Sequence, residues 1–218
     1  MNLGVSDTLL AVSPKTFGRP ELENTGKILL HESILDRIMK IGNHQEIMLF
    51  LLRNPHSQQG IAAGVESFTS DRASVVMPEW MMKSIDISES DKVQILFQKY
   101  PRGTSVTFQP FQSEFFQLPN FRVILEHDLR AFPCFTQGSV IPVVFLKQVY
   151  KLKVLKVEPE KIVSCYHTDI STEFASALDT FDHKWGEEED EYVPPSEKAR
   201  RDASNPAFQG PSHSLKPK

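Results

Sequence analysis

The chain has few of the residues that would give it an immediate chemical identity. Two cysteines, Cys134 and Cys165, occur in 218 residues, too few for a disulfide framework or a cysteine-rich zinc site. Both stand in apolar, strand-like contexts (PCFT and VSCYH), as reduced buried thiols do. No apolar run approaches the ~18 to 20 residues that cross a bilayer. The longest, residues 47–52 and 140–146, are strand-length, and Pro142 interrupts the second. The opening MNLGVSDTLLAV has no basic start and carries Asp7, so it is not expected to act as a signal peptide. Basic excess is absent too: 24 Lys and Arg against 28 Asp and Glu leave a net charge of −4, which argues against a phosphate backbone as partner. These absences predict a protein of the cytosol and nucleus, with no membrane insertion and no nucleic-acid partner.

Catalytic signatures are missing as well. There is no GxGxxG, GxxxxGK[ST], GxSxG or HExxH, which removes the common phosphate cradles, the nucleophile elbow and the zinc-protease helix. The histidines, His31, His44, His56, His127, His167, His183 and His213, show no metal-ligand spacing with one another or with the cysteines. His127 and Cys134 fall on different predicted elements, so they do not read as a base and nucleophile. The acidic run 187–191 lies in a polar tail, without the buried site that general acid–base work needs. No catalytic residue, metal or cofactor is expected.

Apolar patterning, by contrast, is abundant. In 74–110, Val75 and Val76 precede Pro78, then Val93, Ile95 and Phe97, and after them Val106 and Phe108, alternate at period two. This reads as strand, helical turn, strand, turn, strand. Pro78 suits the first position of a short helix whose Trp80, Met81, Met82 and Ile85 read as core packing. Upstream, strands are expected at 9–12, 26–30, 47–52 and 61–65. Ile34, Leu35, Ile38, Met39 and Ile41 mark a helix over 32–41, with Gly42 just past its end. About six strands with one inserted helix predict a barrel over 1–110, an arrangement that removes free sheet edges.

Past Pro110 the pattern changes. Asn120 is placed to cap a helix carrying Phe121, Ile124, Leu125, Leu129 and Phe132 on one face. Strands follow at 140–146, 150–157 and 162–166, the first two joined through Lys147-Gln148. A helix against a small antiparallel sheet predicts an α+β unit over 111–180. From 181 to 218 the acidic run, Pro194-Pro195 and a Ser/Pro/Asn-rich end predict a disordered tail.

Several motifs carry a resemblance. They are Gly26-Lys27-Ile28, Ser33-Ile34-Leu35-Asp36, MPEWMM from Met77, the Pro-Arg-Gly turn at Gly103, TSVTFQP ending at Pro110, LEHDLRAFPCFTQG from Leu125, and EPEKIVS from Glu158 with Asp169 and Phe174 beyond it. Over about residues 9 to 180 the chain resembles the N-terminal domain of the ubiquitin fusion degradation protein family. The resemblance implies a double-psi β-barrel followed by a small α/β roll. It also implies a substrate-recruiting cofactor of the valosin-containing AAA ATPase that reads polyubiquitin, with contact residues unassigned, and that pairs with a nuclear-protein-localisation partner. In the tail, Phe208, Gly210 and Leu215 are in register with the FxGxGxxL box by which this family docks on the ATPase N-terminal domain, and Ser212 stands where the second glycine normally sits. Ser139 likewise replaces a family-typical Asp.

The function implied is a non-enzymatic adaptor. It delivers polyubiquitylated substrates to the ATPase for unfolding and proteasomal degradation, including ER-associated degradation at the cytosolic face of the ER. The alternatives are a diverged paralogue that keeps the ATPase contact alone, or a small double-psi-barrel enzyme. A deep cleft with several perturbed titratable groups favours the enzyme; a shallow surface with apolar patches favours the adaptor.

Overall fold

Alternating strands close on themselves in the first half of the chain. The computed structural model describes residues 2–42 and 47–179. Its elements up to the barrel's last strand are β1 (Asn2–Val12), α1 (Pro14–Phe17), a 3₁₀ turn (Pro20–Asn24), β2 (Lys27–Leu29), α2 (Glu32–Lys40), β3 (Leu49–Arg53), β4 (Gly60–Ser67), β5 (Ser74–Val76), α3 (Glu79–Ser84) and β6 (Lys92–Gln98). The strands form a closed barrel in the order β1-β5-β2-β4-β3-β6. β1 with β5 and β2 with β4 run parallel, and the remaining ladders are antiparallel. This is the six-stranded mixed barrel expected of a double-psi fold. Its interior is filled by the inward set of each strand, including Ile28, Phe50, Leu52, Val93 and Ile95, with the Phe50 and Phe97 rings 5.3 Å apart.

α2 starts and stops on local chemistry. The His31 ring nitrogen Nδ1 accepts the Ser33 N–H at 3.1 Å. At the other end Gly42, at φ 73°, donates its N–H to Met39 O, the left-handed exit for which glycine has no Cβ penalty. Ile34 and Ile38 face the barrel, while Met39 and Ile41 stay about half exposed. In α3 the sequence expectation is off by one: Pro78 is the N-cap, and Glu79 opens the helix. Met81, Met82 and Ile85 enter the core, whereas Trp80 is only half-buried.

The second half comprises β7 (Ser105–Pro110), a 3₁₀ turn (Ser113–Gln117), α4 (Phe121–Asp128) running into a further 3₁₀ turn (Leu129–Ala131), β8 (Cys134–Thr136), β9 (Val140–Phe145), β10 (Gln148–Glu158), β11 (Ile162–Ser164) and β12 (Ser171–Phe174). Four sequence expectations change here. β7, read as a barrel strand, pairs instead with β10 and β12 in a four-stranded sheet ordered β12-β7-β10-β9. The physical reason is closure: β6 already has β1 on one side and β3 on the other, so the barrel offers the next strand no free edge. The sheet is mixed, not antiparallel, because β12 lies parallel to β7. β11 leaves it to pair with β8. Finally, Asn120 makes no side-chain capping bond to α4. It sits at φ 52°, using the tolerance of Asn for left-handed backbone to turn the chain into the helix.

The two parts meet where the segment after α4 lies on the barrel. Gly26 donates its N–H to Ala131 O at 3.0 Å, and Ala62 N–H bonds Thr136 Oγ1 at 3.0 Å. A Cβ on Gly64 would stand 2.6 Å from Pro133 Cγ, and one on Gly26 would stand 3.0 Å from Phe132 Cα. Only glycine allows this approach of roll to barrel.

Candidate functional site

Beside that junction the two parts leave an open groove of about 660 Å³. Its barrel wall is the Pro20–Asn24 turn, the start of β4 and the outer face of α3; its roll wall is the turn after β8 with the strands β9 and β10. Apolar groups from both walls line it, among them Ile61, Trp80, Val140, Pro142 and Val149, together with polar side chains including Glu23, Gln59, Lys83, Gln137 and Lys151.

Trp80 anchors the floor. Its Nε1–H donates to Thr25 O at 3.1 Å, and its ring lies 6.0 Å from that of Phe132, so one side chain ties helix, barrel loop and roll together. The Ser84 hydroxyl donates back to Trp80 O at 2.8 Å. Glu23 reaches the same helix, its Oε1 accepting the Glu79 N–H at 2.9 Å. Burial holds the Glu23 carboxyl above the usual carboxylate range, with the neighbouring Glu79 charge adding to the rise and the hydrogen bond from Glu79 N–H opposing it. Lys83 and Glu79 form an i,i+4 pair at 3.5 Å, of the kind worth little at an exposed surface. Ser139 spends its hydroxyl on Thr136 O at 2.7 Å and closes the turn at the groove's end.

The cysteines stand apart from this groove. Cys134 is buried among Leu49, Ala62 and their neighbours, and burial pushes its thiol up to about 12. Cys165, expected to be buried, is only half-buried; its thiol is also raised, by desolvation first and the nearby Cys134 second. Protonated thiols are poor nucleophiles. His127 is exposed and pairs with Asp128 Oδ1 at 3.0 Å. Among the described residues no group of three or more His, Cys, Asp and Glu side chains is placed to hold a metal ion.

The chain matches two family models in tandem. Residues 5–101 match the ubiquitin fusion degradation protein UFD1, N-terminal subdomain 1, and residues 102–177 match N-terminal subdomain 2 of the same protein. The chain belongs to the ubiquitin fusion degradation protein 1 family. It is 32% identical over 160 residues to the ubiquitin recognition factor in ER-associated degradation protein 1 of Homo sapiens, covering 73% of this chain and 52% of that protein. It is 33% identical over 159 residues to the ubiquitin fusion degradation protein 1 homolog of Dictyostelium discoideum, covering 73% and 48%. With ubiquitin fusion degradation protein 1 of Saccharomyces cerevisiae it shares 31% over 153 residues, covering 69% and 42%. The chain thus spans about half the length of the curated relatives it matches.

Within this family frame, the groove residues come from separated parts of the chain, and the sequence singles out only Trp80 and Ser139 among them. That tryptophan was read as core together with Met81 and Met82; its polar Nε1, which needs a partner, was the one available hint that it lies at an edge. The box Phe208, Gly210, Ser212 and Leu215 and the acidic run 187–191 lie outside the described residues.

Proposed function

We propose that this chain is a non-enzymatic adaptor that reads ubiquitin on modified substrates through its globular part and brings them to a AAA ATPase through its tail. The observation that carries the reading is the tandem family match across barrel and roll. The groove supports it, since it lines a surface between barrel and roll with apolar and aromatic groups, Trp80 among them, of the kind enriched in protein interfaces. The working division is a barrel unit, a roll unit and a tail, with ubiquitin held at the groove and Phe208, Gly210, Ser212 and Leu215 engaging the N-terminal domain of the valosin-containing ATPase. Two modest contacts on one chain raise the local concentration of substrate at the ATPase. Degradation of ubiquitylated proteins, including those of the ER, and pairing with a nuclear-protein-localisation cofactor belong to the same proposal.

Calorimetric titration of the full chain with tetraubiquitin and with the ATPase N-terminal domain tests it. Val149→Asp, at a position 46% exposed, is expected to weaken tetraubiquitin binding at least tenfold and leave the ATPase contact intact. Phe208→Ala is expected to do the reverse. A chain that binds neither partner, or variants that change neither titration, would remove the adaptor reading.

A further inference from the structure

The β9–β10 hairpin ends in a large apolar side chain that gains nothing from the fold. Phe145 and Gln148 pair across it, so the turn consists of Leu146 and Lys147, at φ 47° and 68°. Two consecutive left-handed residues make the type I′ geometry for which Asn-Gly is the favoured pair. Leu is a poor choice there, because its Cβ opposes the backbone, and at 83% exposed Leu146 finds no packing in return. A strained residue that packs on nothing points to a function outside the fold.

What stands behind the tip gives that function a chemistry. Val149 faces its cross-strand partner Val144, and alternation along β10 puts Lys151 and Lys153 on the same outer face, while Tyr150, Leu152 and Val154 turn inward. No described carboxylate forms an ion pair with Lys147, Lys151 or Lys153; Lys156, farther along the strand, is held by Glu158 at 2.6 Å. The result is one protruding leucine backed by free lysines.

We infer that this hairpin tip contacts an anionic phospholipid surface, with Leu146 entering the headgroup region and Lys147, Lys151 and Lys153 lying against the lipid phosphates. A protein partner fits less well. The tip is convex, a stable protein interface needs about 800 Å² of matched surface on each side, and lysine is depleted at interface centres. A fluid anionic surface needs no complementary pocket and accepts flexible cations. This is a surface contact only: no helix among the described residues is long and apolar enough to cross a membrane. Each lysine near such a surface strengthens partitioning roughly fivefold, so binding is weak and salt-dependent. It supplements the adaptor's other contacts and does not require ubiquitin, and Lys151 is the one residue it shares with the groove.

Co-sedimentation of the full chain with phosphatidylcholine vesicles, with and without phosphatidylserine, tests the proposal. The chain is expected to sediment with the phosphatidylserine vesicles and to be released by salt. Leu146→Asn suits the left-handed turn better than Leu, so it should melt no lower than the parent chain while losing about tenfold in vesicle partitioning. The double change K147Q/K153Q, which spares the groove residue Lys151, is expected to reduce partitioning more than tenfold. Vesicle binding that is absent, or that Leu146→Asn leaves unchanged, overturns the inference. Binding of a polyglutamate peptide at these lysines in its place would reassign them to an acidic protein partner.

Discussion

A single methyl group at Gly64 probes the contact on which the groove depends. In Gly64→Ala the new Cβ would lie 2.6 Å from Pro133 Cγ and 2.8 Å from Pro133 Cβ, where carbon atoms normally rest about 3.5 to 4.0 Å apart. The proline ring therefore has to retreat by about 1 Å. It has little room to do so: the preceding Ala131 O is bonded to Gly26 N–H, and Pro133 O accepts the Cys165 N–H at 2.8 Å. Overpacking of this kind costs about 1 to 3 kcal/mol. The 2.6 Å contact puts the cost in the upper half of that range, about 2 to 3 kcal/mol, and replacing a strand glycine returns about 0.5 to 1 kcal/mol of backbone entropy, so the net loss is about 1 to 2.5 kcal/mol. For a chain of this size that is a fall in Tm of about 2 to 10 °C, readable by calorimetry or by urea denaturation at constant m. A double-mutant cycle with Pro133→Ala isolates the cause, since the clash predicts a coupling of at least about 0.5 kcal/mol with the double mutant better than additive. A Gly64→Ala protein as stable as its parent, or effects that simply add, would mean that the roll does not rest on β4 in this way.

Two further expectations concern the groove wall. Trp80→Phe keeps an aromatic ring near Phe132 but leaves Thr25 O without its donor, so urea denaturation should register a loss of about 1 kcal/mol; no change would show that this hydrogen bond does not hold helix to loop. Glu23 gives a pH-dependent test with a definite sign. Its folded pKa lies above the ordinary value of 4.5 because burial disfavours the charge, so the folded state holds the proton more tightly and stability from this group declines as pH rises from about 4.5 through the folded value. Glu23→Gln, which still offers an oxygen to Glu79 N–H, should therefore be more stable than the parent at pH 7 and no more stable below pH 4; a gain that is equal at both pH values would refute the burial argument.

Much of the molecule was legible wherever a signal is local. Alternation in β4, β6 and β7 and the apolar run of β3 identified those strands, and the spacing of Ile34 and Ile38 with Gly42 after them located α2 and its exit. The tandem motifs from Gly26 to Phe174 identified the family. Legibility ended where a residue's meaning depends on its partner. Val106 and Phe108 alternate identically whether β7 joins the barrel or the second sheet. The hairpin turn was placed at Lys147-Gln148 because nothing about Leu146 advertises a left-handed position. Cys165 lies in as apolar a context as Cys134, yet only Cys134 is buried.

By itself the sequence determined the family, the helix α2 and most of the strands, because periodicity and turn residues act within a few positions along the chain. Tertiary structure alone decided which strands share a sheet, that Gly26 and Gly64 are the seats on which the roll rests, and that Glu23, Trp80, Pro142 and Val149 face one groove. Those facts rest on contacts between residues far apart in sequence. They exist only once barrel closure has used up every edge and sent β7 to begin a second sheet.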